Sequence, residues 1–335
     1  METQTDELIG SPHPSISVIL PVLNEESHLE GAVTSILSQK YHGSIEVILA
    51  LGPSRDRTHE IARKLSQKDS RVVLVDNPSG RTAAGLNLAL QTSTSPVVVR
   101  VDGHAQIPDN YLALVVEILN KTGAVNVGGV MAAVGTNTFE RAVAGAMRSP
   151  LGVGASRFHT GGEAGEVDTV YLGAFRREAL LAVGGFDERF TRAQDWELNF
   201  RLRENGGLVY FDPRLHVTYR PRSTVKALAK QYFEYGRWRR VVSRRHSGTI
   251  NLRYLAPPLA LMGFTLSIAL GVALAPICYL PAAIYLVFLA LASLMIASSL
   301  SEFLLLLIVI PTMHFSWGAG FITSPKTLMP PTSIR

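Results

Sequence analysis

The last quarter of the sequence almost lacks charge. Of the 32 Lys and Arg residues only Lys326 and Arg335 lie beyond residue 254, and of the 27 Asp and Glu residues only Glu302 does. The first 254 residues carry the remaining charges, as the surface of a water-soluble domain does. The chain therefore consists of a polar part followed by an apolar part.

Three uncharged runs make up most of the apolar part, at residues 255–275, 277–297 and 303–322. Each has about 20 residues and would extend roughly 30 Å as a helix, the thickness of a bilayer core. Buried helices of a soluble core are the alternative, but three such runs in succession leave no polar face for water. We expect about three transmembrane helices, although Pro311 and His314 interrupt the third run, which could be re-entrant or interfacial.

Lys and Arg are also lacking in the loops between these runs. Six arginines instead precede the first run: Arg237, Arg239, Arg240, Arg244, Arg245 and Arg253. The positive-inside rule then predicts a multi-pass cell-membrane protein whose polar part is cytoplasmic. The N-terminal residues METQTDELIG lack the basic-then-apolar pattern of a secretory signal. The pI of 9.4 reflects basic residues beside the spans, which favours anionic lipid headgroups over nucleic acid as their partner.

Cysteine and glycine-rich cofactor motifs are scarce as well. The single cysteine, Cys278, excludes an internal disulfide and a cysteine zinc cluster. The turn after the first predicted strand has no GxGxxG motif, which weighs against a nicotinamide enzyme.

Apolar strand patterns alternate with helical patterns at the start of the polar part. We predict strands at residues 16–23, 45–51, 72–75 and 96–101, and helices at residues 25–39, 56–68 and 82–91. This alternation predicts an α/β fold with a parallel, doubly wound, Rossmann-like sheet. The later pattern is less regular, with strands at 126–134, 167–176, 208–211 and 216–219, helices at 138–147, 195–205 and 225–245, and a flexible loop at 149–165.

Ligands of such sheets bind beyond the carboxyl ends of the strands. The residues at these positions are polar or conformationally special: Pro21, Asn24, Glu25, Ser54, Asp56, Asn77, Arg81, Asp102, Gly103 and His104. We therefore expect the functional site at this edge of the sheet.

Asp102-Gly103-His104 follows a very apolar strand. Residues two apart in an extended chain point the same way, so Asp102 and His104 could bind one cation. A carboxylate with an imidazole suits Mn²⁺, and Mg²⁺ fits if the histidine does not itself coordinate the ion. The alternative is a strand-terminal turn in which Asp and Gly have only their usual conformational roles.

Two further motifs each allow a functional and a structural interpretation. Asp195, in Gln194-Asp195-Trp196-Glu197, could be a general base, or only a charge that complements a helix dipole. Arg237 could bind a diphosphate and Trp238 could stack on a sugar, or both could belong to an aromatic and basic belt at the membrane interface.

Taken together and in order, the motifs of the polar part resemble glycosyltransferase family 2. They are residues 17–25 (SVILPVLNE), Ser54/Asp56/Thr58, Asp102-Gly103-His104, residues 184–187 (GGFD), Gln194-Asp195 and Arg237-Trp238. Within that family the chain is similar to the membrane-anchored, succinoglycan-biosynthesis type of bacterial enzyme. That similarity rests on residues 102–105 (DGHA), 170–173 (VYLG) and 194–197 (QDWE) and on the trailing apolar runs.

The resemblance implies a nucleotide-sugar-binding GT-A domain at residues 15–250. A tail at 1–14 would precede it, and a membrane domain at 255–322 and a tail at 323–335 would follow. The implied activity is that of an inverting, hexosyltransferase-type enzyme, with a UDP-sugar as the expected donor. We expect it to transfer one sugar to a lipid-linked or membrane-proximal glycan acceptor in cell-envelope or exopolysaccharide biosynthesis.

Site roles are implied by the same resemblance. Asp195 matches the catalytic base, and Asp102 with His104 matches the site of a divalent metal, Mn²⁺ or Mg²⁺. The residues implied to bind the donor are Pro21, Asn24, Glu25, Asp56, Arg81, Asp102, Arg237 and Trp238.

The chain departs from the family pattern at three places. His104 replaces the second acid of DxD, Leu51-Gly52 stand where an Asp pair is often found, and Glu234 replaces the Gln of QxxRW. These departures favour transfer of a single sugar over processive polymerisation.

Two other functions remain open from the sequence. A sugar nucleotidyltransferase would carry a Gly-rich, basic loop after the first strand, where this chain has residues 21–25 (PVLNE). A non-catalytic membrane scaffold with a degenerate transferase domain is the other alternative, against which the presence of both Asp102 and Asp195 counts.

Overall fold

The computed structural model describes residues 12–329. The chain forms two compact units. One contains the residues up to Ala132 together with Gly161–Thr218, and the other contains Ala133–Thr160 together with the described residues from Tyr219 onward. The domains predicted at 15–250 and 255–322 are defined by function, whereas these units are defined by compactness. The predicted domains therefore stay a prediction.

Within residues 12–329 the chain forms an eight-stranded sheet. Its strands are β1 Ile16–Val22, β2 Ile45–Leu51, β3 Val72–Asp76, β4 Val97–Arg100, β5 Asn126–Ala133, β6 Gly165–Glu166, β7 Tyr171–Arg176 and β8 Val209–Tyr219. Across the sheet they lie in the order β3-β2-β1-β4-β7-β5-β8-β6. The two strands predicted at 208–211 and 216–219 are thus one strand, β8.

The sheet is mixed rather than wholly parallel. β1 pairs in parallel with β2 and β4, and β2 with β3, as predicted. β7, however, runs antiparallel to β4 and β5, and β6 runs antiparallel to β8, so the predicted parallel sheet is wrong beyond β4. β7 enters the sheet between β4 and β5, two strands that precede it in the chain, so its direction is set by pairing between distant segments and not by a strand–helix–strand crossover.

The helices are α1 Leu29–Leu37, α2 Thr58–Lys68, α3 Thr82–Thr92, α4 Tyr111–Thr122, α5 Thr138–Arg148, α6 Pro150–Val153, α7 Arg157–Thr160, α8 Arg177–Ala182, α9 Gln194–Glu204, α10 Val225–Arg245, α11 Leu252–Ala273, α12 Leu280–Ile296 and α13 Leu300–Thr323. α6 and α7 lie in the segment predicted as a loop. α1 begins at Leu29 rather than at Glu25, and a turn at residues 26–28 precedes it.

Helices cover both faces of the sheet. Ile16, Val18 and Leu20 of β1 pack with residues of α1, α2 and α4 on one face. Ile19 of the same strand packs with α3, α9 and Phe186 on the other. Alternate residues of one strand thus enter two separate cores, which explains why β1 reads as a continuous apolar run.

The second unit contains the apolar helices. Three helical segments are long and apolar enough to cross a membrane: Leu252–Ala273, Pro276–Ile296 and Leu300–Thr323. They match the three uncharged runs of the sequence. α11 and α12 are joined near their turn by Ser267, whose Oγ donates to the Cys278 carbonyl and accepts from the Ala282 N–H at 3.1 Å.

Candidate active site

The loop after β1 is bound to the segment after β2. The Asn24 N–H donates to Ser54 Oγ at 3.0 Å, and Asn24 Oδ1 accepts from the Arg55 N–H at 2.8 Å. Asn24 has a φ of 56°, in the left-handed region where Asn is enriched. Pro21 is the next-to-last residue of the preceding strand and lies opposite Ala50. The predicted residues of this loop therefore lie at the carboxyl edge of the sheet.

Asp56 connects the two loops through backbone groups. It accepts from the N–H of Glu26 at 3.2 Å and from the N–H of Thr58 at 3.1 Å. The hydroxyl of Thr58 also donates to Asp56, and this bond is the main reason why the pKa of Asp56 is lowered. Thr58 Oγ1 in turn accepts from the Glu25 N–H at 2.8 Å. The Ser54/Asp56/Thr58 motif thus shapes the loop that carries Asn24 and Glu25.

Arg81 stands at the N-terminus of α3 with an exposed side chain. The turn before it is held by the buried Asn77, whose Nδ2 donates to the Arg81 carbonyl at 3.1 Å. Ser79 contributes as well, because its Oγ accepts from the Arg81 N–H at 3.1 Å. Arg81 is therefore a positive charge on the same carboxyl edge.

One buried arginine joins Asp102 to Asp195. Arg100, the last residue of β4, is only 5% exposed. Its Nε and Nη2 donate to Asp102 Oδ1 at 3.2 and 3.0 Å, and its Nη1 donates to Asp195 Oδ1. The structure thus brings together the predicted metal-binding acid and the predicted base.

The pKa values of Arg100 and Asp195 are both raised. Burial alone would lower the pKa of Arg100, but the carboxylates of Asp102 and Asp195 outweigh it and raise this pKa. The pKa of Asp195 is raised, first by burial; Arg100 opposes the rise and the negative charge of Asp102 adds to it. A carboxylate whose pKa is raised is a better proton acceptor than an exposed one.

His104 is paired with a different acid. Its Nδ1 lies 2.8 Å from Glu25 Oε1, and its side chain is 46% exposed. Gly103 permits this approach, because a Cβ there would come within 3.0 Å of Glu25 Cγ. Asp102 and His104 therefore flank Gly103 with separate partners, Arg100 and Glu25.

The residues around Gly103 fit a divalent ion. No group of three or more His, Cys, Asp or Glu side chains suited to a metal occurs within residues 12–329. Asp102 and His104 still offer a carboxylate and an imidazole, and Mg²⁺ in particular is often held by one or two protein ligands together with substrate phosphates. Glu25 has the position of a carboxylate that orients a ligating imidazole. This donor set suits an ion bound together with a diphosphate.

Asp195 lies in the first turn of α9, whose start is strained. The preceding Ala193 has a φ of 60°, a left-handed conformation that costs a non-glycine residue about 1 kcal/mol. Glu197, the other acid of the motif, is buried and accepts from Arg201 Nη2 at 2.7 Å. Asp195, and not Glu197, is thus the acid directed to Arg100.

Arg237 and Trp238 lie on α10 and belong to the second unit, whereas the other predicted site residues belong to the first. Arg237 pairs with Glu234 at 3.0 Å, and its carbonyl accepts from Ser324 Oγ at 3.0 Å. Trp238 is buried. The pairing offsets the negative charge that Glu234 introduces at the Gln position of QxxRW.

Sequence reasoning missed Arg100. The available signal was Arg100 itself, a single charged residue among the valines of residues 97–102 (VVVRVD). An arginine nearly excluded from water must be paired with acids, since an isolated buried charge is too costly. That reasoning would have required a partner for it but could not have named Asp195.

Comparisons with known proteins show the family of the chain. Residues 17–184 match the model of the family described as glycosyl transferase family 2. Over 325 residues the chain is 34% identical to the succinoglycan biosynthesis protein ExoA of Rhizobium meliloti (strain 1021), which covers 95% of this chain and 96% of that protein. The chain belongs to glycosyltransferase family 2.

This glycosyltransferase also has a more distant relative in an archaeon. It is 24% identical over 255 residues to the dolichyl N-acetyl-alpha-D-glucosaminyl phosphate 3-beta-D-2,3-diacetamido-2,3-dideoxy-beta-D-glucuronosyltransferase of Methanococcus voltae. The match covers 72% of this chain and 77% of that protein.

Two solved structures share the fold of the glycosyltransferase. One is mannosyltransferase PcManGT from Pyrobaculum calidifontis in complex with GDP-Man and Mn²⁺, with a TM-score of 0.60, 20% identity, and coverage of 96% of this chain and 92% of that one. The other is S. aureus TarS 1–349 in complex with UDP-GlcNAc, with a TM-score of 0.51, 16% identity and coverage of 84% and 82%. The predicted GT-A type of α/β fold is therefore confirmed.

Proposed function

We propose that this family 2 glycosyltransferase inverts the configuration of the sugar that it transfers from a nucleotide donor. The observation that carries the proposal is the contact of Arg100 with both Asp102 and Asp195 at the carboxyl edge of the sheet. It supports a centre in which a donor-side acid and a proton-accepting acid are held by one rigid cation. The sugar nucleotidyltransferase and scaffold alternatives have no comparable support.

Asp195 is the general base in this proposal. It takes the proton from the acceptor hydroxyl while the hydroxyl oxygen bonds to the anomeric carbon of the donor sugar. The bond between that carbon and the diphosphate oxygen breaks on the opposite side, and the nucleoside diphosphate leaves with its electron pair. Arg100 orients Asp195 and occupies its Oδ1, so Oδ2 is the oxygen that accepts the proton.

The donor nucleotide binds along the edge formed by the loops after β1, β2 and β3. Pro21, Asn24, Glu25 and Asp56 would line its pocket, and Arg81 would lie near the phosphates. The interlocked loops support this assignment, since Asn24 and Asp56 are both held by main-chain groups. A UDP-sugar stays the expected donor; the related folds were solved with UDP-GlcNAc and with GDP-Man.

A divalent ion, Mn²⁺ or Mg²⁺, would be held by Asp102 and His104. When bound it would neutralise the charge of the departing diphosphate. Arg237 and Trp238 would contribute to the donor site from α10, as the resemblance to the family implies.

The acceptor is a lipid-linked or membrane-proximal glycan. The apolar helices support this class of acceptor, because they would keep the enzyme at the membrane with its polar residues in the cytoplasm. The name of the Rhizobium relative supports a role in assembly of an exopolysaccharide or envelope glycan.

Membranes that contain the full chain, incubated with a panel of radiolabelled nucleotide sugars, test the proposal. We expect one donor to be incorporated into a lipid-extractable product in the presence of Mn²⁺ or Mg²⁺. Incorporation from none of the donors, with the protein folded and in the membrane, would contradict the proposal.

A further inference from the structure

Both ends of α13 are bound to helices that precede the first apolar run. Near its start, Glu302 Oε1 accepts from Arg141 Nε of α5 at 3.1 Å. Just beyond its end, the Ser324 carbonyl accepts from Arg244 Nη2 of α10 at 2.8 Å. The third apolar helix is therefore attached to polar helices of the same unit at its two extremes.

Contact with α10 also extends along the second half of α13. A Cβ on Gly236 would come within 2.0 Å of the Trp317 carbonyl oxygen, and a Cβ on Gly320 within 2.0 Å of the Phe233 carbonyl oxygen. The guanidinium of Arg240 lies 5.0 Å from the centre of the Phe321 ring. The two backbones thus touch at two glycines, which places α13 directly on a strongly basic helix.

These contacts conflict with a membrane crossing by α13. A helix of 24 residues is about 36 Å long, so a crossing would put Glu302 and Ser324 on opposite surfaces of a core roughly 30 Å thick. Yet α5 and α10 both precede α11, and α10 cannot itself cross. It carries Lys226, Lys230, Glu234, Arg237, Arg239, Arg240, Arg244 and Arg245. The two ends of α13 are therefore bound to helices on one side of the membrane.

We propose that α13 lies along the membrane surface as an in-plane helix, and that only the α11–α12 hairpin crosses the bilayer. This inference rests on the proposed membrane attachment. α13 also packs on the hairpin, where Gly318 lies against the Pro257 carbonyl and His314 Nδ1 lies 3.2 Å from the Tyr285 hydroxyl, and its exposed side chains meet the lipid of the leaflet beside α10. Leu304, Ile308 and Ile322 are each about half exposed and would enter the boundary between headgroups and acyl chains. Arg240 and Arg244 of α10, which lie beside α13, would bind anionic headgroups.

The hairpin has the form expected of a two-helix anchor. Its turn contains a 3₁₀ segment, Pro276–Tyr279, with no charged residue, and Ile277 there is 72% exposed. Two crossings return the chain to its starting side, so the residues after α13 lie on the same side of the membrane as the residues before α11. Three crossings would put those residues on the opposite side.

Single-cysteine labelling of the full chain distinguishes the two arrangements. Cys278→Ser provides a cysteine-free background, and Gln67→Cys, Ile277→Cys and Lys326→Cys are then introduced separately. Sealed right-side-out and inverted vesicles are treated with a membrane-impermeant maleimide. We expect position 326 to react on the same face as position 67, and position 277 on the other face.

Labelling of position 326 together with position 277 would overturn the inference, and so would recovery of the protein in the soluble fraction. The comparison is between positions, so it holds whichever face is cytoplasmic and whether or not the chain transfers sugar. A failure of the proposed function is therefore separate from a failure of this topology.

A measurement of depth in the membrane tests whether α13 lies in the membrane plane or enters the membrane and returns to the same side. Spin labels at Ile308→Cys in α13 and at Val287→Cys in α12 are matched, because both positions are exposed and near the middle of their helices. We expect the label at 287 near the bilayer centre, with high oxygen accessibility, and the label at 308 near the headgroups. Equal depths for the two labels would contradict an in-plane α13.

Discussion

The guanidinium of Arg100 donates a hydrogen bond to the carboxylate of Asp195, 95 residues further along the chain. Arg100 ends a strand of the parallel half of the sheet, and Asp195 lies in the first turn of a helix that packs on one face of that sheet. The contact therefore fixes the position of the proposed base relative to the proposed donor-binding edge.

Replacement of Arg100 by Lys tests this contact. A lysine keeps the charge but lacks the planar fork that reaches both acids. We expect kcat to fall roughly 10²-fold, the usual effect of displacing a catalytic group by about 1 Å, with a much smaller change in the donor KM. In an Asp195→Asn background the same replacement should have little further effect. Steady-state kinetics of the four proteins provides the measurement.

Arg214→Lys is a control for the loss of a guanidinium that bridges two acids, at a side chain that is 46% exposed where that of Arg100 is 5% exposed. Arg214 also bridges two acids, Asp212 and Glu117, but lies on β8 away from the proposed base. We expect its replacement to leave kcat unchanged. An equal loss at both arginines would show that Arg100 acts on the fold, and additive losses for Arg100→Lys and Asp195→Asn would show that Arg100 does not act through Asp195.

Asp195→Asn removes the proposed proton acceptor while preserving shape. We expect kcat to fall by roughly 10²–10⁴-fold, the usual contribution of a positioned base, with donor affinity nearly unchanged. Glu197→Gln is the comparison, because that acid is buried against Arg201. It should lower the melting temperature by several degrees and spare kcat of the folded enzyme. Normal turnover by Asp195→Asn would assign the base to another residue.

The pH dependence of kcat follows from the raised pKa of Asp195. Only the ionised carboxylate accepts a proton, so activity is present above this pKa and is lost as pH falls through it. We expect the acidic limb of the kcat profile above the value of about 3.9 that is usual for Asp. A profile that stays flat down to pH 4 in the folded enzyme would be inconsistent with Asp195 as the base.

The metal site is tested at His104, which faces Glu25. His104→Asp should retain activity, shift the preference from Mn²⁺ toward Mg²⁺, and sharpen the dependence on metal, because two carboxylates then repel each other without a cation. Asp102→Asn should lose most activity and weaken donor binding in the presence of metal. Metal titrations of both variants are the measurement. Full activity of the wild-type enzyme in EDTA would assign charge neutralisation to side chains such as Arg81.

The part of the fold that local patterns specify could be predicted from the sequence. β1 to β4 are continuous apolar runs separated by amphipathic helices, so their parallel pairing and the polar residues at their carboxyl ends follow from periodicity. The insertion of β7 between β4 and β5 could not be predicted, because it depends on pairing between segments that are distant in sequence.

The candidate site also has a part that the sequence predicts and a part that it does not. Asn24, Asp56 and Asp102 each follow a strand, and that position alone makes them candidates. The partnership of Asp102 with Arg100, and of His104 with Glu25, depends on how loops from different strands meet, which residue spacing does not encode. The course of α13 is a similar case, since length and hydropathy are the same for a spanning helix and for one that packs on α10.

Inversion by a base at Asp195 is tested most directly by the anomeric configuration of the product. The full chain in lipid nanodiscs is supplied with its α-linked nucleotide sugar and acceptor, and the new glycosidic bond is observed by NMR. We expect a β-linked product from the wild-type enzyme and from Glu197→Gln, and almost none from Asp195→Asn. An α-linked product, or undiminished transfer by Asp195→Asn, would contradict the mechanism.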